Sequence, residues 1–312
     1  MTLDESNDIR PLTVELLRLA RPKQWAKSVF VLIGPAYGLT DLERPWLDVM
    51  LEALIAAVAF SLLSSGLYVF NDIIDVDRDR AHPRKRRRPI ASGVVSTTTA
   101  WIFAGILIAL AAATTLLLDP QYRLPAAALL ATYALNVVLY TLLIKRVIIA
   151  DVIGLSLGFV IRVIGGCVAV GIWPSTWLLN CTFFIAMFLA FGKRLGERAT
   201  MGEHVASVRP VQAAYTTDLL RMTVVVTAVA ALVTYSAYVQ ARGEQSPTSF
   251  NLLWLTVLPA TYGLLRCIVL LENGAYDDPT ELAAGDRPFQ AGLALFGAIT
   301  LLVLWKSVSG RP

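Results

Sequence analysis

The chain has 312 residues, 56% hydrophobic and only 16% charged, with a formal net charge of +4. Soluble domains carry about 45–50% apolar and about 25% charged residues, so composition excludes an ordinary water-soluble globular protein. Three cysteines (Cys167, Cys181, Cys267) and two histidines (His82, His204) are too few and too scattered for a disulfide framework or a zinc site.

The first residues, MTLDESNDIRPL, are polar and acidic, so no cleavable signal peptide is expected. Residues 12–25 mix Leu12, Leu16, Leu17 and Leu19 with Arg18, Arg21 and Trp25. That is the composition of an amphipathic stretch, and residues 1–25 are read as a cytoplasmic or interfacial segment. Nine apolar segments follow, near 26–40, 50–70, 99–118, 124–144, 147–170, 177–192, 219–240, 251–271 and 288–307. Each is read as a membrane-spanning helix, because lipid offers an unpaired backbone no partner. The first is short and holds Gly34, Pro35 and Gly38, so a bend or a partial span is expected. Residues 26–312 are thus expected to form one all-α polytopic domain with polar loops at 71–98, 193–218 and 272–287.

Of the 27 Lys and Arg residues, 21 fall on the side of the N-terminus and alternate loops. The positive-inside bias puts that side in the cytoplasm and, after nine crossings, the C-terminus outside. Acidic residues crowd the same side, which points to a reaction or binding surface at the cytoplasmic mouth of a multi-pass plasma-membrane protein. Basic residues placed in this way serve membrane topology, so no nucleic-acid partner is expected.

The second span runs directly into Asn71, Asp72, Asp75, Asp77 and Asp79, and then into Arg84-Lys85-Arg86-Arg87-Arg88. On a helix continuing past Asn71, the residues Asp72, Asp75 and Asp79 share a face with Asn71 at its margin, and Asp77 points away. Carboxylates stacked in this way repel one another unless a cation lies between them. Mg²⁺ takes oxygen ligands, keeps several waters, and binds through a few carboxylates plus substrate phosphates. An Mg²⁺–diphosphate complex is the ligand this spacing suits, and a mere solvated helix end beside a positive-inside cluster would not need it. A Ca²⁺ loop is disfavoured, since it lacks the turn glycine and the closing Glu.

Farther on, Arg162 lies inside an apolar span, where an ionisable residue usually faces a polar interior or a partner. Phosphate binding and pairing with Asp151 are both open to it. Gly154 and Gly158, four apart, permit close helix approach. Asp277, Asp278, Glu281 and Asp286 form a third acidic loop that closes over a substrate or simply solvates itself.

NDIIDVDRD followed by HPRKRRRPIASG closely resembles the N-D-x-x-D-x-x-x-D signature of UbiA-type intramembrane prenyltransferases. The resemblance extends through RPKQW (21–25), YTLLIKR (140–146) and DVIGLSLGFVIRVIGG (151–166). FGKR (191–194) with Glu197, and DPTELAAGDRPFQ (278–290), resemble the branch that transfers 5-phosphoribose to decaprenyl phosphate. Members using an allylic diphosphate and an aromatic acceptor commonly carry a second D-x-x-x-D after the sixth span. This chain has Lys193, Arg194, Glu197, Arg198 and Glu203 there, and only Asp218 farther on. Cations in place of carboxylates favour a donor with an additional phosphate.

The resemblance implies Mg²⁺ on Asp72, Asp75 and Asp79 as the catalytic metal site. It implies 5-phosphoribosyl 1-diphosphate as donor, decaprenyl or another polyprenyl phosphate as acceptor, and a product destined for cell-wall arabinan precursors. Lys85 and Arg88 match the basic positions after the acidic motif. Asn71, Lys23, Lys27, Tyr140, Lys145, Arg162, Lys193, Arg194 and Glu197 complete the candidates for substrate binding. The rival readings are aromatic prenyl transfer in quinone biosynthesis and, from another class, transport or flipping of a phosphorylated metabolite or lipid. Ionisable groups crowded on one side count against transport, which needs a path to both faces.

Overall fold

A computed structural model describes residues 11–39, 44–81, 85–201, 214–243, 250–273 and 285–309, and among them every regular element is helical. Outside them lie His82, Arg84, Glu203, His204, Asp277, Asp278 and Glu281.

The chain opens with α1 (Leu12–Ala20) and a 3-10 stretch, Pro22–Ser28, that leads into α2 (Val29–Gly38). The long helices are α3 (Trp46–Ile74), α5 (Thr97–Thr114), α6 (Pro120–Leu142), α7 (Ala150–Ala169) and α8 (Thr176–Met201), then α9 (Thr217–Gly243), α10 (Val257–Glu272) and α11 (Arg287–Ser309). A short α4 (Val76–Ala81) follows α3. Eight helices among the described residues are long and apolar enough to cross a bilayer, and this is a multi-pass membrane protein. The expected first span is broken: α2 has ten residues with Pro35 inside, and the 3-10 stretch starts on Pro22. Together residues 22–38 rise about 29 Å, close to the thickness of a hydrocarbon core. The polar loop expected at 193–218 is also partly helix, because α8 continues to Met201.

The amphipathic stretch is docked on the bundle. Leu19 is buried in a cluster with Val69 and Ile73 of α3, Ile90 and Val95, and Ala20 is buried next to it, while Leu12, Leu17 and Trp25 stay exposed. Helix α3 is the hub, with 67% of its most apolar stretch buried, whereas α11 at the edge buries 6% of its own. Around α3, Phe60, Leu63 and Leu67 pack with Leu130 and Tyr133 of α6. A second core joins Phe188 and Phe191 of α8 to Tyr215, Leu220 and Val224, with Cys267 and Leu271 of α10. Cys167 and Cys267 are buried free thiols, which fits packing roles.

Helices α2 and α7 touch backbone to backbone. A Cβ on Gly166 would lie 1.8 Å from the Val31 carbonyl oxygen, and one on Gly34 would lie 2.1 Å from Cys167 Sγ. The tightest approach on α7 is therefore at Gly166. At Gly158 a Cβ would meet nothing nearer than Asn136 Nδ2 at 3.4 Å.

Successive helices alternate in direction. The C-terminal ends of α3, α6, α8 and α10 thus share one end of the bundle with the starts of α5, α7, α9 and α11. Ion pairs between distant elements at that end (Lys145 with Asp75, Arg194 with Asp151, Arg221 with Glu272) mark where the charged loops meet.

Candidate active site

Helix α3 ends at Ile74, and Asp75 is its C-cap, at φ −96° and ψ 9°. The N–H of Asp75 still donates to the Asn71 carbonyl (3.0 Å) and that of Asp79 to the Asp75 carbonyl (2.8 Å), so the helical register carries across the break into α4. Asp72 and Asp79, two turns apart, therefore face the same way, and each is 3% exposed. The Asp77 side chain is 90% exposed, as an outward position requires. Asp75 departs from the expectation of one shared face. Its backbone has left the helical region, and its carboxylate turns to Lys145, whose Nζ donates to both oxygens at 2.9 and 2.8 Å.

Cations already lie among these carboxylates. Arg88 Nη1 donates to Asp72 Oδ1 at 2.9 Å and to Asp79 Oδ2 at 2.6 Å. Arg21 Nη2 donates to the same Asp72 oxygen at 2.5 Å, and its guanidinium lies 5.2 Å from the Tyr68 ring centre. Arg21 has φ 51°, a left-handed conformation uncommon outside glycine and here followed directly by Pro22. Such strain persists only where surroundings over-determine it. In the sequence Arg21 belongs to the amphipathic stretch, to the basic excess and to the RPKQW resemblance, none of which gives it a carboxylate partner.

Among the described residues, no three His, Cys, Asp or Glu side chains converge closely enough to hold a metal by themselves. Asp72 and Asp79 nevertheless share a single cationic atom, Arg88 Nη1, as a stand-in for an ion. Two hard carboxylate oxygens around one positive centre fit Mg²⁺, which needs only one or two carboxylates when phosphate and water complete its shell.

Of the other expected substrate-binding residues, Asn71 and Tyr140 stand at the helix ends beside this mouth. Asn71 accepts a hydrogen bond from Thr141 at 3.3 Å, tying α3 to the end of α6. Tyr140 sets its ring beside Gly154. Lys23 is exposed and Lys27 half-buried on the 3-10 stretch; Lys85 is half-buried, three residues before Arg88. Lys193 and Glu197 are half-buried, one turn apart on α8.

Arg194 is placed differently. It is 4% exposed and pairs with Asp151 Oδ2. Asp151 Oδ1 accepts from the Tyr215 hydroxyl and from the Val152 N–H, both at 2.9 Å. Tyr215 Oη in turn accepts from the Ile149 N–H at 2.6 Å. Ile149 has φ 66°, a strained value for a β-branched residue. Burial, seconded by the Asp151 carboxylate, pushes the Tyr215 hydroxyl up to about 12, so it remains a donor at neutral pH. Arg198 adds bonds to Thr217 Oγ1 (3.1 Å) and to the Tyr215 carbonyl. Helices α8 and α9 are thereby fastened to the Ile144–Ala150 connection that carries Lys145. Neither Tyr215 nor this role of Asp151 was marked by any motif.

Pairing of Arg162 with Asp151 does not occur. Eleven residues along one helix separate them by about 16 Å. Arg162 Nη2 donates instead to Tyr133 Oη (2.6 Å) and Ser64 Oγ (2.9 Å).

The profile of the UbiA prenyltransferase family matches residues 28–273. The chain is 33% identical over 282 residues to decaprenyl-phosphate phosphoribosyltransferase of Mycolicibacterium smegmatis, covering 88% of this chain and 87% of that one. It is 31% identical over 292 residues to the protein of the same name from Mycobacterium tuberculosis, covering 92% and 94%. Among solved structures, a UbiA homologue from Archaeoglobus fulgidus bound to GPP and Mg²⁺ superposes with a TM-score of 0.67 at 16% identity, over 95% of this chain and 98% of that one. The apo UbiA homologue from Aeropyrum pernix K1 gives 0.66 at 17% identity, over 95% and 99%. The archaeal structures share the fold. With a family profile across most of its length and relatives above 30% identity nearly end to end, the chain belongs to the UbiA prenyltransferase family.

Proposed function

We propose that this protein transfers 5-phosphoribose from 5-phosphoribosyl 1-diphosphate to decaprenyl phosphate or another polyprenyl phosphate. The observation that carries the reading is an acidic mouth interleaved with cations, Asp72 and Asp79 on Arg21 and Arg88 and Asp75 on Lys145. It stands in a chain that aligns almost end to end with two enzymes of that name. In the step, an oxygen of the lipid phosphate bonds to ribose C1 as the bond from C1 to diphosphate oxygen breaks. The electron pair leaves with diphosphate.

The acceptor is already an anion, so the residues need no general base; their work is positioning and charge stabilisation. Asp72 and Asp79, joined by Asp75 once it leaves Lys145, would hold a divalent cation, Mg²⁺ by the hardness of these donors. When bound, it supplies charge neutralisation to the leaving diphosphate. Arg21, Arg88 and Lys145, which now meet the carboxylates, are assigned to the diphosphate oxygens. Lys23, Lys27, Lys85, Lys193, Glu197, Asn71 and Tyr140 are the surrounding candidates for the ribose and the remaining phosphates. Arg194, its charge already met by Asp151, is assigned a positioning role.

The same reading sets the mouth at the cytoplasmic face of the plasma membrane, where the Lys and Arg excess lies. Counting residues 22–38 as a crossing gives nine, with the N-terminus inside and the C-terminus outside.

The test supplies purified protein in detergent with labelled phosphoribosyl diphosphate, decaprenyl phosphate and Mg²⁺, and counts the organic phase. Label in the lipid, lost with EDTA and in a folded Asp75→Asn variant, is the expected result. No lipid label, with product forming instead from geranyl diphosphate and an aromatic acid, would move the protein to aromatic prenyl transfer.

A further inference from the structure

Arg162 stands near the middle of α7 and is 4% exposed. Besides its bonds to Tyr133 and Ser64, Nη1 reaches the Gly158 carbonyl only at 3.5 Å, and Nε is buried with no acceptor. The Tyr133 and Phe159 ring centres lie 4.5 and 5.6 Å from its Cζ. Every one of these partners is neutral, and among the described residues no carboxylate pairs with Arg162. A full positive charge held at membrane depth without a counter-charge is costly. Two aromatic faces and two hydroxyls offset part of that cost and leave the guanidinium with a donor to spare.

The position of Arg162 relative to the mouth gives this spare donor a use. Ser64, Tyr68 and Asp72 stand four apart on α3 and line one face of it. Ser64 touches Arg162, Tyr68 lies beneath Arg21, and Asp72 takes Arg21 and Arg88. A polar line thus descends from the carboxylates to Arg162 over about 12 Å of helix. That length matches the reach of a pentose carrying a diphosphate at the mouth and a second anion at the floor. A displacement at C1 needs that second anion on the side of the sugar away from the leaving diphosphate.

We infer that Arg162, flanked by the Tyr133 and Ser64 hydroxyls, is an intramembrane receptor for a phosphate monoester. The inference rests on the proposed reaction, which brings such a group in two forms. One is the lipid acceptor's phosphate, whose tail stays among the helices; the other is the donor's 5-phosphate.

The experiment measures binding without turnover, on the full chain in detergent, with farnesyl phosphate, ribose 5-phosphate and farnesol as probes. Wild type is expected to bind at least one of the two phosphates, and to prefer farnesyl phosphate over farnesol if the lipid is the source. Arg162→Gln weakens one of the phosphates by roughly tenfold or more, the scale of a lost charge-assisted hydrogen bond, and leaves farnesol unaffected. Loss for farnesyl phosphate identifies the lipid; loss for ribose 5-phosphate identifies the donor. Tyr133→Phe keeps the ring, shifts the same constant by a smaller factor, and answers the question should Arg162→Gln fail to fold. Unchanged affinity for both phosphates in these variants, or no phosphate binding by wild type, overturns the receptor and leaves Arg162 a packing residue. A wild type that binds farnesyl phosphate through Arg162 yet transfers no phosphoribose refutes the reaction and keeps the receptor. A wild type that transfers phosphoribose while its Arg162 variants bind as before refutes the receptor alone.

Discussion

Two arginines are buried to the same degree in this bundle, and their surroundings are opposite. Arg194, at the charged end, meets the Asp151 carboxylate, which is itself satisfied by Tyr215 and the Val152 N–H. Arg162, about 16 Å farther along α7 from Asp151, meets only hydroxyls, a distant carbonyl and two rings. Both keep an Nε without an acceptor, so the counter-charge is what separates them. A closed ion pair in low dielectric does little but hold its elements in register. A lone charge with neutral partners is poised for an anion that arrives from elsewhere.

The largest effect expected from this contrast belongs to the closed pair. Arg194→Met leaves Asp151 charged, buried and without its cation, which costs about 3–5 kcal/mol in systems of this kind. Adding Asp151→Leu should recover much of that loss, because a buried ion pair is worth little more than well-packed apolar residues. Unfolding midpoints in detergent for the single and double variants decide it. A mild single variant would mean that Asp151 finds another cation and that the node is not closed.

Arg162→Met should cost far less, no more than about 1 kcal/mol. The Ser64 and Tyr133 hydroxyls stay 3.2 Å apart and Ser64 keeps the Phe60 carbonyl, so removing the guanidinium orphans no buried group. The same unfolding measurement applies. A loss as large as that of Arg194→Met would show that the Arg162 charge has a counter-ion after all and erase the distinction.

The bundle and its acidic mouth were legible because their signals are local. Runs of apolar residues give the spans, and a period of 3.6 places Asp72 with Asp79 and turns Asp77 outward. The break at Asp75 was not legible, since what draws its carboxylate aside is Lys145, 70 positions away. Arg21 becomes a partner of Asp72 only through its left-handed backbone, which nothing in RPKQW spells out. Tyr215, Tyr133 and Ser64 look like ordinary polar residues until packing sets them against buried arginines. The one expectation that spacing alone could have removed is the pairing of Arg162 with Asp151, because eleven helical residues cannot bring two side chains together.

A third arginine, outside the core, supplies the low end of the scale. Arg266 donates from Nη2 and Nε to Asp286 at 2.9 and 3.2 Å, and the same carboxylate takes the Phe289 N–H at 2.8 Å where α11 begins. The hydrogen bond from Arg266 holds the Asp286 carboxyl below its ordinary value. A carboxylate depressed in the folded state stabilises the protein above its unfolded pKa of about 4, and the contribution disappears as pH falls through the lower folded value. Wild type should therefore be slightly more stable than Asp286→Asn near neutrality, with the gap closing in acid below about pH 4. The difference between the two proteins is what counts, since other carboxylates titrate equally in both. A gap that stays constant into acid would mean that the Asp286 charge contributes nothing and that capping Phe289 is all this side chain does. That outcome would remove the Arg266–Asp286 pair from the scale and leave counter-charge decisive only for arginines that are fully buried.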